Sequence, residues 1–364
     1  MKKIGCIVGL LMASFGAFSQ TEIVLNEPAV IYYMPTNDLV FTIEYDEIIE
    51  QKGIFAKYAK EFLYVDAIQE TKTHYNLVGI QQDIATRLDY NRPVKVVAQN
   101  ELPLQYLNFT EDGLLSGYNT DKTFMPVPPT AKMNTWAADY RISDGNFPTP
   151  EEDWSNVVLP LFSETFYSMG LDNLALEARK QLLQIREMKL NVLCGEVEHS
   201  PSDGRSTELV LQEFERQERI LLEAFLGKRK VIRRFKQVTY TPSETQKNAV
   251  IAKFSENSGV LEADKKGEPI NLTISITKQQ INKDLAYSYG DKKDPRVQPS
   301  QLFYNLPGHA DIKVTYRDKQ FVKTTIQLAQ FGVALPLAQS LFAPNALPHI
   351  FFNPQTGNVK GIIP

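Results

Sequence analysis

The chain has 364 residues, 43% of them hydrophobic and 23% charged, and its 39 Lys and Arg against 43 Asp and Glu give a formal charge of −4 at pH 7. That mild acidity gives no support to nucleic-acid binding. The length suffices for two or three domains, each able to bury an apolar core.

Residues 1–19, MKKIGCIVGLLMASFGAFS, have the layout of a secretory signal. Lys2 and Lys3 form the charged start, Ile4 to Phe18 the apolar run, and Ala17-Phe18-Ser19 the small-residue cleavage pattern. The run is too short to span a bilayer and polar chain follows at once, so cleavage near Ser19 is expected, not anchoring. The mature protein is then extracytoplasmic, periplasmic or at a cell surface. Cys6 leaves with the signal. Cys194 remains alone, no intramolecular disulfide can form, and stability must come from the core. No other segment has the unbroken apolar run of a transmembrane helix.

Residues 20–123 read as an N-terminal β-rich domain. AVIYYMP (29–35) and LVFTIEYDEIIE (39–50) are rich in β-branched and aromatic residues, and Leu39, Phe41, Ile43 and Tyr45 alternate along one strand face. In IFAKYAKEFLYV (54–65) the rhythm changes: Phe55, Tyr58, Ala59 and Phe62 recur at three and four, as on a short amphipathic helix. Strands resume at HYNLVGIQ (74–81) and PVKVVAQ (93–99). In LNFTEDGLLSGYN (107–119), Asp112-Gly113 between apolar stretches signals a hairpin.

Residues 124–160 form a connection with six prolines and both tryptophans. Residues 161–227 then carry two helices joined as an antiparallel hairpin. The first, 171–193, has the stripe Leu171, Leu174, Ala178, Ile185, Met188, Val192 and a second stripe Leu176, Leu183, Leu190. That breadth predicts burial on more than one side. The second, 206–226, has the stripe Val210, Phe214, Leu221, Phe225. Gly195 can end the first helix, and Asp203 or Ser206 can cap the second. Residues 228–364 read as an antiparallel, sandwich-like β domain: KRKVIRRFKQVTYTP, NAVIAKFSE, INLTISIT, HADIKVTYRD, QFVKTTIQLAQFGVALPL and HIFFNPQTGNVKGII are separated by turn residues, with NPQTGN (353–358) as the last hairpin. The fold class is therefore α+β.

The helix connector LCGEVEHSPSDG (193–204) gathers Cys194, Glu196, Glu198, His199, Ser202 and Asp203. A thiol nucleophile needs an activating base and a zinc site needs three or four converging ligands. Cys194 and His199 lie five apart in a loop, a spacing that converges on neither, and the stretch is ordinary turn and cap chemistry. His74, His199, His309 and His349 are scattered, and no HExxH, GxSxG, GxGxxG or phosphate loop occurs, so no metal or cofactor is expected. KRKVIRRFK (228–236) could hold an anionic surface, but strand alternation sends Arg233 and Arg234 to opposite faces. The best surface-binding candidates are Trp136, Tyr140, Glu151, Glu152, Asp153 and Trp154, acids beside aromatic platforms that suit a sugar.

GIFAKYAKEFL (53–63), the ARKQLLQIREMKLNVLCGE…DG…LVLQEFERQERILLEAFLG run (178–227) and IQLAQFGVALPLAQSLF (326–342) together resemble a family of secreted Bacteroidetes proteins of unknown function, over nearly the whole mature chain. The resemblance implies a Gram-negative envelope setting and a shared fold, but no reaction. In that family the connector carries acids and an Asp-Gly where this chain adds Cys194 and His199, which argues further against a site there. Within the third segment, Gly332 allows a bulge or close backbone approach and Pro336 stops the strand. The functional expectation is a non-catalytic extracytoplasmic binding or scaffolding protein with an envelope protein or glycan as partner. The alternative is a glycan hydrolase using carboxylates among Glu151, Glu152 and Asp153.

Overall fold

Two very long strands organise the molecule. The computed structural model describes residues 29–97, 104–120, 140–141, 170–196, 203–279, 281, 286, 301–342 and 348–363. The first strand, β1 (Ala29–Gln51), is followed by a short helix, α1 (Ala59–Leu63), and by β2 (Lys72–Val97). Next come the small strands β3 (Leu107–Phe109), β4 (Leu115–Tyr118) and β5 (Tyr140–Arg141). A helical hairpin of α2 (Leu171–Cys194) and α3 (Gly204–Leu226) leads into β6 (Lys228–Tyr240) and β7 (Asn248–Ser255). The chain then runs through β8 (Gly259–Leu261), β9 (Glu268–Thr277), β10 (Phe303–Tyr316), β11 (Lys319–Pro336), β12 (His349–Phe352) and β13 (Val359–Ile363).

The sequence suggests a break near residues 36–38 and another at 82–92, yet β1 and β2 each run through. They pair antiparallel from Ala29–Val97 to Glu50–Lys72. The polar residues Thr36 and Asn37, turn-like in sequence, are buried inside β1. Among the described residues three sheets result, ordered β2-β1-β6-β5, β11-β10-β9-β7-β8 and β13-β12-β4-β3. Every pairing between them is antiparallel.

The first two sheets form a sandwich. Leu39, Phe41 and Ile43, the alternating face legible in sequence, are fully buried against Ile270, Leu272, Ile274, Ile312, Val314 and Leu328 of the facing sheet. Each such apolar side chain contributes about 1.5–3 kcal/mol relative to exposure. The N-terminal and C-terminal β segments thus share one core. The third sheet closes one end over a second cluster, where Tyr32, Met34 and Val94 meet Tyr118, Phe303, Phe342 and Phe352. The hairpin signal at Asp112-Gly113 is realised between β3 and β4 with Gly113 at φ 80°, and NPQTGN turns between β12 and β13 with Gly357 at φ 73°.

At the junction of these layers lies a polar clasp. Two bulges create it, each ending beside a proline. Tyr33 pairs with Pro93 and Pro35 with Leu88, so residues 89–92 loop out of β2. Leu306 pairs with Val333 and Gly308 with Leu328, so Ala329 to Gly332 loop out of β11 opposite Pro307. Proline brings no N–H, which makes the ladder cheap to break there. The bulges carry Arg92 and Gln330 inward. Arg92 donates to Asn305 Oδ1 at 2.8 Å and to Ala329 O at 2.9 Å. Asn37 Oδ1 accepts from Ala329 N at 2.6 Å, while its amide donates to Thr86 Oγ1 and Gln355 O. Gln330 and the Asn37 backbone exchange two bonds, at 3.0 and 2.8 Å. Asn305, fully buried, donates to Ala329 O and Thr356 O. Gly332 makes the close approach suggested by its sequence: a Cβ there would sit 2.4 Å from Leu306 O.

The helical hairpin departs from its expected burial. One face of α2, formed by Leu174, Ala175, Ala178, Leu182 and Ile185, packs with Leu221, Ala224 and Phe225 of α3 against Phe55, Tyr58 and Ala59. The second stripe stays out: Leu176, Leu183 and Leu190 are 38%, 49% and 59% exposed. The reason is geometric. Among the described residues, the layer beneath α2 is the short α1 segment with α3, and it covers one side of the N-terminal half. Farther along, Arg186 and Lys189 hold α3 through Glu218 and Glu215, at 2.7 and 3.0 Å. The caps match the sequence reading. Gly195 ends α2 at φ 74°, and the Asp203 side chain accepts from Ser206 N at 2.6 Å.

Candidate functional site

At the end of the sandwich away from the clasp, a groove of about 910 Å³ opens between the two sheets. Its lining comes from five separate stretches: Ile48 of β1, His74 to Leu77 of β2, Arg229 of β6, and the segments around Phe254–Glu256 and Tyr316–Phe321. These positions meet because Tyr75 N donates to Glu256 O at 2.7 Å, tying the first sheet to the turn that follows β7. Gly259 in that turn, at φ 70°, lets the chain pass 3.0 Å from the Tyr45 ring and 3.2 Å from the Tyr75 ring, measured from where a Cβ would stand.

Aromatic rings form the floor. Tyr45 lies between Tyr75 and Phe254, with centroids 6.1 and 6.3 Å away, and Phe254 meets Tyr316 edge-on at 5.7 Å. Burial, and then the neighbouring Glu47 carboxylate, raise the Tyr75 phenol above its ordinary pKa. Burial likewise raises Tyr316. Both phenols therefore remain neutral at physiological pH and offer ring faces and hydroxyls, not phenolates.

Charge is divided unevenly between the two ends. At one end Lys72, His74 and Arg229 gather around Glu50, at 3.6, 3.9 and 3.8 Å. His74 Nδ1 is buried and has no hydrogen bond among the described residues. At the other end Arg317 binds Glu256 at 3.1 Å and also binds Glu268, and its guanidinium lies 5.3 Å from the Tyr316 ring centroid. Lys319 stands 4.6 Å over the Phe321 ring. Arg317 has φ 51° because it is the first of the two residues that turn the chain between the paired Tyr316 and Lys319. The Arg317 hydrogen bond holds the Glu268 carboxyl below its ordinary range.

The structure neutralises the basic stretch 228–236, which the sequence reading left as a solvated face. Acids of β1 stand beside it across the β1–β6 register: Arg233 binds Glu44 and Asp46, and Arg234 binds Glu47 at 2.8 Å. The two arginines do leave the strand on opposite faces. Lys228 is buried against Glu223 at 3.3 Å. Arg229 alone of this stretch lines the groove.

Of the candidates from sequence, Trp136, Glu151, Glu152, Asp153 and Trp154 lie outside the described residues, as do His199 and Ser202. Tyr140 is described through its backbone, which pairs with Arg233 in β5. Cys194 is a free, exposed thiol at the end of α2. No group of three His, Cys, Asp or Glu side chains among the described residues could hold a metal ion. No described helix is long and apolar enough to cross a membrane. Sequence reasoning missed the groove. Its residues are far apart in the chain, and no short-range pattern links His74, Arg229 and Arg317. The left-handed turn at Arg317-Asp318 carries none of the Asn-Gly chemistry that would have flagged it.

No curated protein and no solved structure matches the chain. One family model, described as Domain of unknown function (DUF4831), matches residues 29–360. That span takes in every sheet, the hairpin, the clasp and the groove, and the chain belongs to this family.

Proposed function

We propose that the protein is a non-catalytic, extracytoplasmic binding protein of the cell envelope that holds an acidic glycan in the groove. The observation carrying this reading is the charge division over an aromatic floor. Lys72 and Arg229 share Glu50, leaving that end electropositive with the His74 ring beside it, while Tyr75, Tyr316 and Phe321 offer surface to sugar rings. A carboxylate on the ligand would sit over Arg229 and His74, and the neutral body would lie along the rings. Catalysis is a poorer fit for these groups. A general acid needs a carboxyl raised toward neutrality, whereas Glu268 is lowered by Arg317 and Glu256 is engaged by the same guanidinium. The signal-like residues 1–19 support the extracytoplasmic setting.

A pull-down from envelope extract, run in parallel with the wild-type protein and Arg229→Ala, tests the reading. Acidic glycan retained by the wild type and lost by the variant is expected. Equal retention by both proteins, or none by either, would overturn it.

A further inference from the structure

We propose that a proton on His74 strengthens the groove's hold on an anionic ligand, by drawing Glu50 away from Arg229 and Lys72. This rests on the groove reading and adds the condition under which that site fills. The Glu50 side chain is 18% exposed, whereas those of Lys72 and Arg229 are each 58% exposed. Its contacts to Lys72, Arg229 and His74, at 3.6, 3.8 and 3.9 Å, are all longer than a hydrogen bond. Glu50 is thus shared by charge and fixed to no one of the three. His74 Nδ1 is buried and has no hydrogen bond among the described residues, and Glu50 Oε2 stands 3.9 Å from it. A buried ring nitrogen without a partner costs free energy.

Protonation changes that balance. An imidazolium carries N–H on both nitrogens, and the buried one faces Glu50. Closing the gap by about 1 Å makes a charge-assisted hydrogen bond. Glu50 then answers His74, and the exposed heads of Lys72 and Arg229 turn to the ligand. With a neutral ring, two cations stand against one carboxylate; with a charged ring, three do. The other acids around His74 are already engaged. On the same face of β1, Asp46 is bound by Arg233 of β6, while Glu47 leaves on the opposite face and is bound by Arg234 at 2.8 Å. Across the groove Glu256 is bound by Arg317 at 3.1 Å, with Asp318 and Lys319 beside it at the far end. Binding is therefore tightest while the ring is charged and weakens as the pH rises through the histidine range, between about 5 and 8. Carboxylates on the ligand stay ionised through that window, so the change comes from the protein.

Titration calorimetry with an oligomer of galacturonic acid, at about pH 5.5 and about pH 8, tests this, with circular dichroism to verify folding. The wild type is expected to bind about tenfold more tightly at the lower pH. It is also expected to take up part of a proton on binding, seen as a heat that varies with the ionisation enthalpy of the buffer. His74→Gln, which cannot take the proton, is expected to bind at both pH values as the wild type does at the higher one. Glu50→Gln is expected to bind at the higher pH at least as tightly as the wild type at the lower, a gain that lost folding cannot imitate. The same pH dependence in His74→Gln as in the wild type, or no gain in Glu50→Gln, overturns the proposal and leaves the groove reading standing. Absence of binding by every protein at both pH values overturns the two together.

Discussion

Replacing Asn37 by alanine probes the clasp that joins the three sheets. Asn37 is 1% exposed. Its carbonyl oxygen accepts from Ala329 N at 2.6 Å, and its amide donates to Gln355 O at 2.9 Å and Thr86 Oγ1 at 3.0 Å. Asn37→Ala leaves the Ala329 N–H, on a fully buried residue, without its acceptor. An orphaned buried donor costs about 1–3 kcal/mol. The Gln355 carbonyl loses a donor as well, at about 1 kcal/mol or somewhat more. The Thr86 hydroxyl can turn to another partner, so its share is small. The total is about 3 kcal/mol, within the range for breaking a buried network. With a urea m-value of about 3 kcal/mol/M, suited to a chain of this size, the unfolding midpoint should fall by roughly 1 M. Thr86→Ala is the control and should cost about 1 kcal/mol, because it removes one side-chain bond and orphans no buried backbone group. Urea unfolding followed by tryptophan-independent circular dichroism measures both. If Asn37→Ala costs no more than Thr86→Ala, the claim that Asn37 anchors the β11 bulge is wrong.

Two further outcomes follow from the packing and the ionisation of buried groups. Gly332→Ala should destabilise by about 2–3 kcal/mol because its Cβ would stand 2.4 Å from Leu306 O, a backbone atom that cannot move alone, whereas Gly361→Ala, with nothing within 4 Å, should change stability by less than about 0.5 kcal/mol; thermal unfolding compares them. Tyr118 is buried, which raises its phenol from 10.0 to about 12. Its neutral form is thus favoured by folding, so the contribution is fully present below pH 10 and is lost as the pH rises toward about 12. The melting temperature should drop across that alkaline window, and Tyr118→Phe should flatten the drop.

How far the sequence could be read depended on whether the deciding contact was local. The alternation Leu39, Phe41, Ile43 names the buried face of β1 outright, because a strand shows a period of two wherever one side is covered. Gly195, Asp203 and Asp112-Gly113 were legible for the same reason: caps and turns are set by a few adjacent residues. The continuity of β1 through Thr36-Asn37-Asp38 was not legible, because Asn37 stays in the strand only through partners at positions 86, 329, 330 and 355. Hydrophobic periodicity on α2 placed Leu174, Ala178 and Ile185 on the covered face, but Leu171 and Met188 of the same stripe are exposed and Ala175 and Leu182 are buried instead, because what is covered depends on the layers beneath the helix. The groove was invisible for the strongest version of this reason. Its floor and both charged ends are assembled from β1, β2, β6, β7 and the β10–β11 turn, and each contributes only one to five residues.

The measurement that bears most directly on the binding reading is a calorimetric titration of the protein with an acidic oligosaccharide and with its uncharged counterpart, repeated with Arg229→Ala. The account expects saturable binding of the acidic sugar, weakened by added salt, with little for the neutral one, and a loss of at least about tenfold in affinity for the variant. Binding of the two sugars alike, or an acidic sugar held as tightly by Arg229→Ala as by the wild type, would contradict the assignment of the groove as an anionic-ligand site.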